Sequence, residues 1–363
     1  MVQARKMAKV FWFFIALSAI SAIEGSRILV SAPLGTKSHK NMYVPLVRKL
    51  VERGHKVTVI TNYFTNDFLE LDNVYEIVLD QLVFDMSDYP NVFDNLLSSN
   101  WNFGMTSMLL HSFIELPRKV TETLYTDPRV KDIMAKDDFD LVIVSQMLYI
   151  ASVPLAWHFQ APLIVFSPNS LFPGMASLLG DEEHTSYVPF TFTQYTDRMN
   201  LWQRTLNTCF TKIYQITVEW YEKFTIPSIV RKLGLPDSSI QEIANVTIMF
   251  TNSHPSFTYP RSLPPQVIEV GGIHCRPAKP LPNELEAFVS GAGSDGFILF
   301  GVGSLQRMED MPEHLIQSFI KNFARIPQRV VWQWKGKVRS DLPQNVLAIP
   351  WLPQQDLLGK LFD

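Results

Sequence analysis

The feature that most constrains this chain is a pattern that recurs along it. A short β-branched strand is followed by a glycine-bearing loop, an amphipathic helix and another strand. The first copy is the clearest. Arg27 to Ala32 (RILVSA) has the composition of a buried strand and breaks at Pro33, Leu34 and Gly35. Ser38 is placed to cap a helix in which Val44, Leu46, Val47, Leu50 and Val51 recur at helical spacing. Gly54 ends that helix, and Lys56 to Thr61 (KVTVIT) is the next strand. Such units build a parallel sheet with right-handed crossovers.

The strand character returns at Asp140 to Val144 (DLVIV) and Pro162 to Phe166 (PLIVF), with a helix expected over Ala151 to His158. Phe84 to Val130 is rich in Phe, Leu, Met and Trp and predicts helices and loops laid over the sheet. Asp197 to Leu233 is helical in pattern, and Trp202, Phe210, Tyr214 and Trp220 are spaced for a buried face. Around Arg276 to Pro282 (RPAKPLP) the chain becomes proline-rich and polar, as connectors between domains do. The pattern then restarts. Strand Phe297 to Phe300, the loop Gly301 to Ser304 (GVGS) and a helix from about Pro312 to Ile326 precede strands Arg329 to Trp334 and Asn345 to Ile349. The fold expected is α/β: two Rossmann-like domains facing a cleft, the C-terminal one incomplete. The expected boundaries are a leader at 1–25, an N-terminal domain at 26–275, a linker at 276–284 and a second domain at 285–363.

Several function classes are excluded at this stage. The net charge is −3 and no long Lys/Arg run occurs, so nothing would neutralise a nucleic-acid backbone. The N-terminus carries Arg5, Lys6 and Lys9 before an apolar run from Val10 to Ala19, then small residues up to Gly25 and Ser26. That is the layout of a secretory signal peptide, with an uncleaved anchor as the other reading. It places the protein in the secretory pathway or the endoplasmic reticulum lumen, as a glycoprotein if the sequon at Asn245 is used. Of the two cysteines, Cys209 and Cys275, the expectation is free, buried thiols. His274 and Cys275 lack partners at metal-ligand spacing, so no metal site is expected.

A family resemblance enters through the second half. Val270 to Cys275 (VGGIHC) with Arg276 to Pro280 (RPAKP) resembles the interdomain linker of animal UDP-glycosyltransferases of the UDP-glucuronosyltransferase-like kind. Phe297 to Ser304 (FILFGVGS) resembles the first strand and phosphate loop of their donor domain. Ile326 to Trp332 (IPQRVVW) and Trp351 to Gly359 (WLPQQDLLG) are similar to the next landmarks, the last opening the donor-binding signature. In the first half, Pro33 to His39, the strand after Gly54, Tyr187 to Pro189 and Asp197 to Trp202 are similar as well. The order and spacing of these motifs carry the resemblance over nearly the whole chain.

The resemblance implies transfer of a sugar from a UDP-sugar to a hydroxyl of a small lipophilic acceptor, with inversion at the anomeric carbon, as in detoxification. The UDP-sugar is a co-substrate, and no cofactor is implied. Pairing with copies of itself or with related transferases, and association with a membrane, also follow from it. His39 lies on the loop after the first strand, where open α/β sheets place active groups, and its ordinary pKa suits a general base. A loop histidine is otherwise structural or merely exposed; the resemblance implies the catalytic role. His55 and His274 are expected to be structural.

The family places a carboxylate just after the strand at Asp140 to Val144, whereas this chain has Ser145 and Gln146. Three outcomes stay open: Gln146 orients His39, another carboxylate substitutes, or catalysis is impaired. On the donor side, Gly301, Gly303 and Ser304 either hold the diphosphate or form a tight turn. The resemblance implies that Trp351 stacks on uracil and Gln354 pairs with the base edge. After Gly359 the family continues into a His-Gly-Gly segment, where this chain reads Lys360 to Asp363. That difference leads to the expectation of an uncovered sheet in the second domain. It also leads to a second functional reading: a catalytically inactive form that binds acceptors or pairs with full-length relatives.

Overall fold

The computed structural model describes residues 25–83, 103–172, 174–191, 193–220, 223–224, 226–232, 246–303, 308–337 and 339–360. The expected leader (apart from Gly25), Asn245 and Ser304 lie outside these residues.

The apolar strands of the first half pair into one seven-stranded sheet, all of whose neighbours are parallel. In chain order these are β1 Arg27–Ala32, β2 Lys56–Thr61, β3 Val74–Val78, β4 Leu141–Ser145, β5 Leu163–Ser167, β6 Val246–Thr251 and β7 Val267–Glu269. Their order across the sheet is β3-β2-β1-β4-β5-β6-β7. The chain therefore reverses its direction of progress between β1 and β4, and the crevice at the carboxyl ends of those two strands is where such sheets bind ligands.

Period-two alternation divides the strand side chains between two cores. Leu29, Ile60, Ile77, Val142 and Val144 face helices α2 Phe103–Thr126, α3 Pro128–Lys136 and α4 Tyr149–His158. Ile28, Val30, Val57, Val59 and Ile143 face α1 Lys37–Glu52 through Tyr43 and Val47. Three further helices belong to this half: α5 Met175–Leu178, α6 Leu201–Trp220 and α7 Ile226–Lys232.

The second sheet holds β8 Phe297–Phe300, β9 Arg329–Gln333 and β10 Val346–Ile349, parallel and in the order β10-β9-β8. Its helices are α8 Asn283–Ser290, α9 Glu313–Phe323 and α10 Gln354–Gly359. Ile316 and Ile320 of α9 pack on Val330 and Trp332 on one face. Leu285 and Val289 of α8, with Leu352 and Leu357, pack on Val331 on the other. The expected bare face is thus covered; what exposure there is falls on the edge strand β8, at Ile298.

Three expectations need correction. The cap of α1 is Thr36, not Ser38: its backbone is extended, and its side chain accepts from the His39 N–H. Cys209 and Cys275 are both free, but exposed rather than buried. Finally, α6 does not bury its aromatic stripe, since Trp202 is 68% exposed and Trp220 55%. Its buried residues are Asn207, Thr211 and Gln215. The loop before α6 has backbone groups that need partners. Asn207 supplies them, accepting from Phe190 N–H and donating to the carbonyls of Thr185 and Val188. Phe210 does stack against Phe190, and Tyr214 meets the same ring edge-on.

Candidate functional site

The loop from Pro33 to Thr36 leaves β1 at the reversal point and delivers the amino end of α1 to the crevice. Several buried polar contacts fix it. The Asn62 side chain, at the end of β2, donates to the Gly35 carbonyl at 2.8 Å and to the Leu82 carbonyl at 3.0 Å. A side chain at position 35 would lie 3.0 Å from the His39 Cβ, so the loop needs glycine for this approach. Lys40, one residue on, forms a buried ion pair with Glu76 of β3 and donates to the Tyr63 carbonyl at 2.7 Å. Thr61 donates to the same Glu76 oxygen at 2.9 Å. The ion pair joins the first turn of α1 to β3, two strands away.

His39 occupies the third position of α1 and closes a capping box with Thr36, in the place where glutamate or glutamine usually stands. Its Nδ1 accepts from the Thr36 backbone N–H at 3.1 Å and lies 2.6 Å from the Thr36 Oγ1, which is itself 2.6 Å from the Ser38 Oγ. Nε2 makes no hydrogen bond among the described residues. Burial holds the imidazole below its ordinary pKa, so the neutral ring is favoured. Two tautomers compete. If Nδ1 accepts from the backbone, Nε2 carries the proton; if Nδ1 donates to the Thr36 hydroxyl, Nε2 offers a lone pair.

Gln146 does not reach His39. Its N–H donates to the Phe166 carbonyl at 2.9 Å, and its Oε1 accepts from the Ser167 hydroxyl at 3.3 Å. Ser145 faces Tyr43 and accepts from the Met147 N–H. No carboxylate bonds to His39 among the described residues. Of the three outcomes left open by the sequence, the first is therefore not seen. The oxygen placed against Nδ1 is that of Thr36. The sequence held a signal for it, the spacing from Thr36 to His39, but a capping box is ordinarily sought with Glu or Gln at its far end. His55 accepts from the Ser26 N–H through Nδ1, a structural contact, while the His274 Nδ1 is buried without a partner among the described residues.

On the second sheet, the loop after β8 turns through Gly303 at φ +88°, and no atom of the described residues lies within 4 Å of where its Cβ would stand. Glycine is needed there for the backbone conformation. Gly301 answers to packing instead: a Cβ would lie 2.6 Å from Leu352 and 3.1 Å from the Gln333 side-chain oxygen. This contact sets the β8 loop beside the segment that follows β10. Trp351 lies on that segment and is 49% exposed. Gln354 opens α10, exposed and without a side-chain hydrogen bond among the described residues. The helix is tied to the linker, since Asp356 accepts from Arg276 through both oxygens and from the Lys279 N–H at 2.8 Å. The Arg276 guanidinium holds the Asp356 carboxyl below its ordinary range.

The two sheets meet at these loops. Lys37, two residues before His39, places its ammonium 4.1 Å from the centroid of the Trp351 ring. The structure therefore brings the start of α1 and the Trp351 segment together. Chemically, the first offers an imidazole with a free Nε2. The second offers a flat indole, an amide and a glycine turn. No group of three His, Cys, Asp or Glu side chains suited to a metal occurs among the described residues, and none of their helices is long and apolar enough to cross a membrane.

Comparison with known proteins identifies the family. The family model described as UDP-glucoronosyl and UDP-glucosyl transferase matches residues 27–361. UDP-glucosyltransferase 2 of Dactylopius coccus is 31% identical over 348 residues, covering 94% of this chain and 65% of that protein. UDP-glucuronosyltransferase 1A8 of Rattus norvegicus is 27% identical over 342 residues, covering 93% and 63%. The chain thus spans slightly less than two thirds of the length of these relatives. Among solved structures, the glycotransferase of kitacinnamycin superposes with a TM-score of 0.55 at 14% identity, over 92% of this chain and 73% of that one. The calicheamicin glycosyltransferase CalG4 gives 0.53 at 16%, over 92% and 72%. At such identity the likeness is one of fold.

Proposed function

This chain belongs to the UDP-glucoronosyl and UDP-glucosyl transferase family, and from that premise we propose that it transfers a sugar from a UDP-sugar to a hydroxyl of a small lipophilic acceptor. The observation that carries this reading is the contact between Lys37 and Trp351, which brings the first turn of α1, where His39 lies, near the indole. In the proposed reaction Trp351 stacks on uracil and Gln354 pairs with its edge. The turn at Gly301 and Gly303, with Ser304, holds the diphosphate through backbone N–H groups. His39 Nε2 takes the acceptor's hydroxyl proton as the oxygen attacks the anomeric carbon. The bond to UDP breaks on the opposite face, and the configuration inverts. Thr36, accepting the Nδ1 proton, stands where a carboxylate orients other catalytic histidines.

Associated with this reading are domains at 26–275 and 285–363 joined by 276–284, a cleaved leader at 1–25, a secretory-pathway location and a glycan on Asn245. A shift in gel mobility on enzymatic deglycosylation, and the N-terminal sequence of the secreted chain, test the last three. The test of activity is UDP release from UDP-glucose or UDP-glucuronate with a lipophilic phenol, against a H39A control. A rate no higher than that of H39A overturns the transferase reading for this chain.

A second reading, a non-catalytic protein that binds acceptors or pairs with related transferases, is favoured by one observation. Ser145 and Gln146 stand where the family resemblance implies a carboxylate, and Gln146 is engaged with Ser167. Acceptor binding by calorimetry without UDP release supports this alternative.

A further inference from the structure

Lys37 has no part in the reaction proposed above, yet it is the side chain that crosses the cleft. It is the first residue of α1, half-buried, and forms no ion pair among the described residues. The first turn of that helix holds no acidic residue, and a cation there faces the positive end of the helix dipole. Neither a carboxylate nor the helix explains where the ammonium lies. Its partner is the indole of Trp351, at 4.1 Å from the ring centroid, well within cation–π range.

The face of the ring matters. Lys37 belongs to the first lobe and Trp351 to the second, so the face that Lys37 covers is the one directed at the first lobe. A base entering the cleft to stack on Trp351 meets the same face. We propose that Lys37 is a gate on the donor platform: in the free protein it occupies the stacking face of Trp351, and a uracil base binds by displacing it. This rests on the reading of Trp351 as the base-stacking residue. Two occupants of one face exclude each other, so the apparent affinity for the base is lowered by the fraction of molecules in which Lys37 is seated. The ring is half exposed, and cation–π contacts at such sites correspond to about a two- to fivefold effect on binding.

The test is calorimetric titration of uridine into the full chain as wild type, K37M, K37R and W351A, each checked for a wild-type-like melting curve. Uridine carries the base without the diphosphate, whose charge would be drawn to the same ammonium and mask the displacement. K37M keeps the aliphatic stem and removes the cation, and should bind uridine about two- to fivefold more tightly. K37R keeps a cation able to lie on the indole and should bind no more tightly than wild type. Unchanged or weaker binding by K37M, with W351A abolishing it, overturns the gate alone. Uridine binding that survives W351A removes the platform, and the gate with it. No measurable binding by either wild type or K37M overturns both.

Discussion

Replacing Thr36 by valine keeps the shape of the side chain and removes one hydroxyl, and its consequences can be followed atom by atom. That hydroxyl is buried, accepts from the His39 N–H at 3.4 Å, and lies 2.6 Å from both the His39 Nδ1 and the Ser38 Oγ. Losing the cap costs about 1 kcal/mol, which lowers the melting midpoint by roughly 2–4 °C in a unit of this size. The effect on chemistry should be larger. In T36V the backbone N–H at 3.1 Å remains, so Nδ1 is held as an acceptor and the ring's proton sits on Nε2. That tautomer cannot take a proton from an acceptor hydroxyl. General-base assistance is worth about 10²–10⁴. The hydroxyl selects the tautomer rather than performing the transfer, so we expect kcat to fall by about tenfold to a hundredfold, with KM little changed. T36S restores the oxygen and should restore most of the rate. UDP release measured at saturating UDP-sugar with a lipophilic phenol checks this. Wild-type kcat in T36V, in a preparation where H39A is inactive, would refute the hydroxyl argument, as would a T36S variant as slow as T36V.

Three further predictions follow from the same contacts. Burial holds His39 below its ordinary value of 6.5, so the acid limb of kcat/KM should lie below 6.5. Its share of stability should fall across the same window, because the unfolded chain takes the proton at 6.5 while the folded chain does not; a pH–rate profile and pH-dependent melts read both. Asp356→Asn removes the negative charge and one of the two oxygens that accept from Arg276 and the Lys279 N–H, and should cost about 1–3 kcal/mol and weaken uridine binding. Since Arg276 depresses the Asp356 carboxyl below 3.8, wild-type melting should lose this contribution as pH falls below 3.8, and the variant should not show that loss. Lys40→Met leaves Glu76 buried without its cation and should cost about 3–5 kcal/mol, seen as a lowered urea midpoint.

The parallel sheets were legible because buried strands are β-branched runs between glycines and prolines, and β1, β2 and β8 fall where those runs do. Strand β7, only Val267–Glu269, was not; three residues carry no periodicity, and it is a strand because β6 is beside it. Helix α6 was legible as a helix but not in its orientation. An aromatic stripe marks an apolar face without saying what covers it, and the demand of the Thr185 to Phe190 backbone for partners turned Asn207 inward instead. At the site, that His39 lies just past β1 followed from the sequence, but as a loop residue, whereas α1 begins at Lys37 and holds it in the first turn. The partner of its Nδ1 did not, because the choice of N-cap between Thr36 and Ser38 rests on a backbone angle that composition does not encode. The contact of Lys37 with Trp351 is a property of how two separately legible units face each other.

The strengths of these contacts imply an order of events. Each chemical loop is held within its own lobe by buried polar groups. Asn62 and the Lys40–Glu76 pair fix the first, and Asp356 fixes the helix behind Trp351 to the linker. Breaking a buried pair costs about 3–5 kcal/mol. The contact across the cleft is a half-exposed cation–π pair, worth about 0.5–1 kcal/mol. Of these contacts the one between Lys37 and Trp351 is therefore the first to give way, before either loop deforms. In the proposed reaction, a base that takes the indole face replaces a contact weaker than either buried pair. It meets walls whose own geometry is already set, which is the condition under which binding energy goes into positioning rather than into building the site.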